Sequence, residues 1–109
     1  MNDIQVMRAK VRQILGENLR ALMTHHQQAN RRMAEKLGIG EGTIQRAKTG
    51  QVSLTVDNVE TIAAFFNLEA WQLFTPDLDP RHPPQLTFPS PEERDLYERF
   101  KKFVGTREG

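Results

Sequence analysis

The sequence contains no cysteine. Disulfides, thiolate chemistry and Cys-ligated zinc or iron–sulfur sites are therefore excluded, and a reducing compartment fits. It contains no apolar run near the roughly 20 residues that cross a bilayer. Its opening, "MNDIQVMRAK", lacks the apolar block that follows the basic residues of a signal peptide. A soluble, cytoplasmic chain is the expectation. Catalytic groupings are missing too. Ser53 and Ser90 have no His or Asp arrangement beside them, so no catalytic residue and no enzyme are expected. His25 and His26 are adjacent, without Cys or carboxylate at ligand spacing, and His82 stands alone. Asp77 and Asp79 lack the glycine and closing glutamate of a calcium loop. Neither a metal nor a cofactor is expected. Strand-type alternation and internal repeats are absent.

What is present is a small helical chain with divided charge. At 109 residues one domain is the default. The net charge of +1 hides an asymmetry: residues 1–50 hold nine Lys/Arg against four Asp/Glu, whereas residues 51–80 hold five acids and no base. A basic half beside an acidic half points to a polyanionic partner on one side.

The apolar spacing predicts one long helix over 3–24, capped by Asn2 or Asp3, with Ile4, Met7, Val11, Ile14, Leu15, Leu19, Leu22 and Met23 in register. Gly16 either permits close packing or bends it. A second helix, "RRMAEKL", is expected behind an Asn30 cap and stops at Gly38 in the left-handed conformation. Gly40 can cap a third helix, in which Thr43, Ile44 and Ala47 share a face and Gly50 is the stop. Thr55 caps a fourth, with Val59, Ile62, Ala63, Phe66 and Leu68 facing in. "EAWQLF" adds a short fifth, with Trp71, Leu73 and Phe74 expected inward. The proline-rich stretch 76–89 reads as a linker. Ser90 and Pro91 open a last helix whose stripe is Leu96, Tyr97, Phe100, Phe103 and Val104. A lone helix cannot bury such a stripe, so it must dock on the domain or on another copy.

Two short helices joined by a tight glycine turn form a helix-turn-helix. Here "NRRMAEKLGIGEGTIQRAKTG" supplies it. Ala34 sits at the crossing, Gly38 makes the turn, and Ile39 and Ile44 set the angle. Glu41, Gly42, Gln45, Arg46 and Thr49 are left facing outward. In these residues the chain resembles the Cro/cI-type (lambda-repressor-like, XRE) DNA-binding family, from "GENLRALM" at Gly16 to "AWQLF" ending at Phe74.

The resemblance implies an all-α fold, a five-helix lambda-repressor-like domain. Around it lie an N-terminal helical extension and, beyond the Pro-rich linker, a C-terminal amphipathic helix. The expected division is a domain over 1–75 with extension 1–13, linker 76–89, and C-terminal helix 90–109. It also implies that the helix opening at Gly40 lies in the major groove of double-stranded DNA. Glu41, Gly42, Gln45 and Arg46 occupy the family's base-reading positions. Arg46 can bond guanine, Gln45 can pair with adenine, and Glu41 can accept from cytosine. Asn30 stands where the family clamps a phosphate, and Arg31, Lys48 and Thr49 are further phosphate candidates. The chain departs from the family in reading Ala29-Asn30 for a Ser/Thr-Gln pair and Lys48 for an acid near the end of the recognition helix. Its loop "QVSLTV" also lacks the basic residues that often touch the DNA backbone.

The expected function is a sequence-specific transcriptional regulator, a bacterial or prophage repressor that binds its operator as a homodimer. Pairing would come from the terminal helix at 91–104, the N-terminal extension 3–14, or both, and Leu96, Tyr97, Phe100 and Phe103 are the candidate dimerisation residues. The rival expectation is a protein-partner module, such as an antitoxin-type regulator gripping a toxin through its C-terminal helix, or a contact with RNA polymerase.

Overall fold

The structure, a computed structural model, describes residues 3–85 and 90–108. The possible cap Asn2, the last four residues of the expected linker and the side chain of Val104 lie outside that description. Among the described residues there are five α-helices and one 3₁₀ turn, with no strand: α1 (Asp3–His25), α2 (Asn30–Leu37), α3 (Glu41–Lys48), α4 (Val56–Phe65), the 3₁₀ turn (Ala70–Phe74) and α5 (Pro91–Glu108).

Helix boundaries have local causes. Gly38 ends α2 at φ 68°, and its N–H donates to the Ala34 carbonyl. Gly50 follows α3 at φ 73°. Both conformations are costly for a side chain with a Cβ. The Thr55 hydroxyl accepts from Asn58 N–H and opens α4, and Ser90 Oγ accepts from Glu93 N–H at the start of α5. At the end of α4, Asn67 takes φ 60° while Leu68 N–H closes on the Ala63 carbonyl at 2.8 Å. This is a left-handed stop made with asparagine.

The core joins Leu15, Leu19, Leu22 and Met23 of α1 to Met33, Ile39, Ile44 and Ala47 of the helix pair. Val59, Ile62 and Ala63 of α4, with Phe66 just after it, close it together with Leu73 and Leu78. The role of Gly16 is close packing. A Cβ there would stand 2.7 Å from the Ala47 carbonyl oxygen and 2.8 Å from that of Lys48, so the end of α3 rests on the backbone of α1.

Three expectations change. Asn30 is not the cap of α2. Ala29 takes the extended capping conformation and Asn30 is the first helical residue, with its side chain drawn elsewhere. Phe74 turns outward, 37% exposed, while Gln72 goes in. Gln72 forms a capping box with Glu69 and donates to the Pro84 carbonyl at 2.7 Å, a polar role that the apolar pattern conceals. Trp71 is half-buried, its Nε1 donating to Glu69.

The chain after residue 75 is tied down at its start. Leu78 is buried, and Asn18 of α1 holds this segment. Asn18 Nδ2 donates to the carbonyls of Leu73 (2.7 Å) and Thr75 (2.8 Å), and its Oδ1 accepts from Leu78 N–H (3.2 Å). The packing of the domain thus continues into the proline-rich stretch.

Candidate nucleic-acid interface

The site is built on α3. Ile44 and Ala47 are buried and fix its inner face. Helical spacing then leaves Glu41, Gly42, Gln45, Arg46 and Thr49 exposed on the other side. Two features hold the helix in place. Gly16 lets α1 pass against its C-terminal turn, and the Arg20 guanidinium donates to the Lys48 carbonyl. Arg20 lies one helical turn beyond Gly16. That i, i+4 spacing is the signal that could have placed it beside α3.

The candidate base-reading residues fall into two groups. Arg46 reaches back along α3 over Gly42, where a Cβ would meet its guanidinium nitrogen at 3.0 Å. A glycine that offers no side chain to a base therefore leaves the space in which the arginine lies. Gln45 belongs to a second group with two of the candidate phosphate residues. Lys48 Nζ donates to Asn30 Oδ1 at 2.9 Å, and Asn30 Nδ2 donates to Gln45 Oε1 at 2.6 Å. This chain of bonds is what draws the Asn30 side chain away from the end of its own helix. Glu41 is exposed in the first turn of α3, where its charge suits the helix dipole.

The other phosphate candidates differ in how free they are. Arg31, on the exposed first turn of α2, pairs with Glu35 at 3.3 Å, and both side chains are mostly solvated. Such a pair exchanges readily for a phosphate. The Thr49 hydroxyl donates to the Arg46 carbonyl at 3.0 Å, so its one proton is already used within the helix end.

The candidate dimerisation residues of α5 lie apart from α3 in the chain and divide between two faces. Leu96, Phe100 and Phe103 are 67%, 64% and 58% exposed. Tyr97 is half-buried and turns toward the domain, lining a cleft of about 910 Å³ with Ala64, Trp71 and Lys101. Lys101 lies 5.4 Å from the centre of the Tyr97 ring and bonds Glu69 at 2.8 Å. The first turns of α1 add exposed Ile4, Val6, Met7 and Val11.

A family model described as the Cro/C1-type HTH DNA-binding domain matches residues 18–78. That span opens at Asn18 and closes at Leu78, the two ends of the buried amide network. A search of curated proteins and a search of solved structures each found no match.

Proposed function

The chain belongs to the Cro/C1-type HTH DNA-binding domain family, and from that membership we propose that it is a sequence-specific transcriptional regulator that reads operator DNA through α3. The observation that carries this reading is the outer face of α3. Exposed Glu41, Gln45 and Arg46 stand on a helix whose inner face is locked into the core. Rigid seating matters because base readout requires donors and acceptors held at fixed positions against the groove. Asn30, Arg31 and Lys48, beside that face, are the proposed backbone contacts.

The regulator acts as a homodimer, two copies presenting α3 to successive turns of the major groove about 34 Å apart. Leu96 and Phe100 support α5 as the pairing face. Phe100→Asp is expected to halve the sedimenting mass, and an unchanged mass removes α5 from that role. The same exposure favours one rival, a protein partner gripped by α5. Deletion of residues 90–109 that abolishes partner capture and leaves DNA binding intact would select it. We propose repression as the outcome, since a dimer seated on an operator blocks polymerase.

Fluorescence anisotropy on the duplex upstream of the chain's own gene, beside a random duplex, tests the main reading. The expected margin is about a thousandfold, and Arg46→Ala is expected to erase most of it. Equal, steeply salt-dependent binding to both duplexes would mean backbone contact without readout.

A further inference from the structure

The bonds joining Lys48, Asn30 and Gln45 have a direction. An ammonium group has only protons to give, so the atom facing Lys48 Nζ at 2.9 Å must be the Asn30 oxygen. That fixes the other end of the Asn30 amide as a donor. The atom facing it from Gln45 at 2.6 Å must then accept, and it is Oε1. The Gln45 oxygen is turned toward the protein, and its NH₂ group is left for whatever approaches the exposed face of α3.

A glutamine that pairs with adenine presents oxygen and nitrogen side by side, the oxygen accepting from N6 and the nitrogen donating to N7. Gln45 presents the nitrogen alone. We propose that Lys48 and Asn30 set Gln45 as a hydrogen-bond donor, so that it reads a base edge made of acceptors: guanine first, through O6 and N7, with thymine O4 second. Adenine, the partner expected for glutamine from its residue type, is disfavoured. Lys48 and Asn30 are positioning residues here, acting on specificity through Gln45. The inference rests on α3 being the DNA-reading helix.

The test uses the full chain and a pool of DNA duplexes with a randomised site, sequenced before and after capture. Wild type, Gln45→Ala, Asn30→Asp and Lys48→Met are compared. Gln45→Ala is expected to flatten base preference at one position per half-site. There wild type favours guanine over adenine about tenfold, within the range of a single good base contact. Asn30→Asp is the discriminating variant. An aspartate has nearly the same shape but only accepts, so Gln45 must turn its NH₂ inward and its oxygen to the DNA. Preference at that position is expected to move to adenine or cytosine, which offer amino groups. Lys48→Met removes the group that orients Asn30 and is expected to shrink the guanine margin severalfold. Gln45 is exposed, Asn30 and Lys48 are half-buried, and none of the three belongs to the apolar core, which the variants therefore leave intact.

If Asn30→Asp and Lys48→Met keep the wild-type preference at the Gln45-dependent position, the inference falls while DNA reading stands. It also falls if Gln45→Ala alters no position. If wild type enriches no duplex, the DNA-reading function itself fails and carries the inference with it.

Discussion

Asn18 and Leu78 are sixty positions apart and joined by a hydrogen bond inside the protein. The Asn18 side chain is 3% exposed and also satisfies the carbonyls of Leu73 and Thr75. Asn18→Leu keeps the branched shape, though not the volume, and strands three backbone groups. Each such buried group costs about 1–3 kcal/mol, and rehydration at Thr75 leaves Leu73 and Leu78 as the main losses, so a loss of about 2–6 kcal/mol is expected in urea unfolding. Asn18→Asp has a further signature. A carboxylate facing two carbonyl oxygens is penalised, which raises its folded pKa above the unfolded value. Its destabilisation is therefore largest at neutral pH and eases as pH falls. A loss independent of pH would contradict this placement.

That network shows which parts of the fold were legible in the sequence. The helix-turn-helix and the start of α4 were, because they are set by neighbours: Gly38 and Gly50 at positive φ, Ile44 and Ala47 three apart on one face, and the Thr55 hydroxyl on Asn58 N–H. Asn18 was not, because its partners are the end of the 3₁₀ turn, at Leu73 and Thr75, and Leu78 in a segment whose prolines mark it as irregular. Asn30 was placed one residue off for a related reason. Its residue type favours a cap, but Gln45 and Lys48, 15 and 18 positions later, compete for the same amide. Phe74 and Gln72 exchanged places because a 3₁₀ turn has three residues per turn, and α-helical spacing misassigns its faces. In the candidate site the outward residues of α3 followed from periodicity. The bonds that orient Gln45, and the fit of Gly16 beneath Ala47, depend on contacts between helices that spacing within one helix does not encode.

Gly16→Ala is expected to lower stability, although the same change in an exposed helix gains up to about 1 kcal/mol. The new Cβ would fall 2.7 Å from the Ala47 carbonyl and 2.8 Å from that of Lys48, and these are backbone atoms that cannot swing aside. Forcing them apart is overpacking, at about 1–3 kcal/mol. Because α3 itself must shift, the thermal midpoint and the specific DNA affinity should fall together. A midpoint equal to or above wild type would show that α1 and α3 separate more easily than this contact implies.

The contact between α5 and the domain carries a pH dependence. Glu69 accepts from Lys101 through one oxygen and from Trp71 Nε1 through the other. The Lys101 hydrogen bond first, and then that of Trp71, hold its carboxyl below the ordinary 4.5, against a smaller upward push from desolvation. The bond to Glu69 likewise holds the Lys101 ammonium above 10.5. A depressed acid stabilises the folded contact above its unfolded pKa, and that stability is lost as pH falls through the folded value. A raised base stabilises below its unfolded pKa, and that is lost as pH rises through the folded one. The contact is therefore favoured between about pH 4.5 and 10.5, with a contribution reduced by solvent screening. Trp71 is the only tryptophan, so its fluorescence reports the site directly. An acid midpoint below 4.5 is expected in wild type, rising toward 4.5 in Lys101→Met. A midpoint unmoved by that substitution would remove Lys101 as the cause.

Gly42→Ala separates stability from readout on α3. Gly42 is the second residue of α3, at an exposed position, where alanine is favoured by at most the roughly 0.5–1 kcal/mol of a helix interior. The obstacle to a Cβ there is Arg46 alone, its guanidinium nitrogen 3.0 Å away. That group is the far end of a flexible side chain and can move at little cost, so the gain in stability should survive. The displaced guanidinium, however, no longer lies back along the helix toward its N-terminus. If that pose serves the proposed guanine contact, Gly42→Ala raises the thermal midpoint and lowers discrimination between operator and random duplex. Adding Arg46→Ala to Gly42→Ala should then cost less discrimination than Arg46→Ala alone. Such non-additivity is the mark of two residues sharing one interaction. Full additivity, or a midpoint that falls, would show that the glycine serves something other than the placement of Arg46.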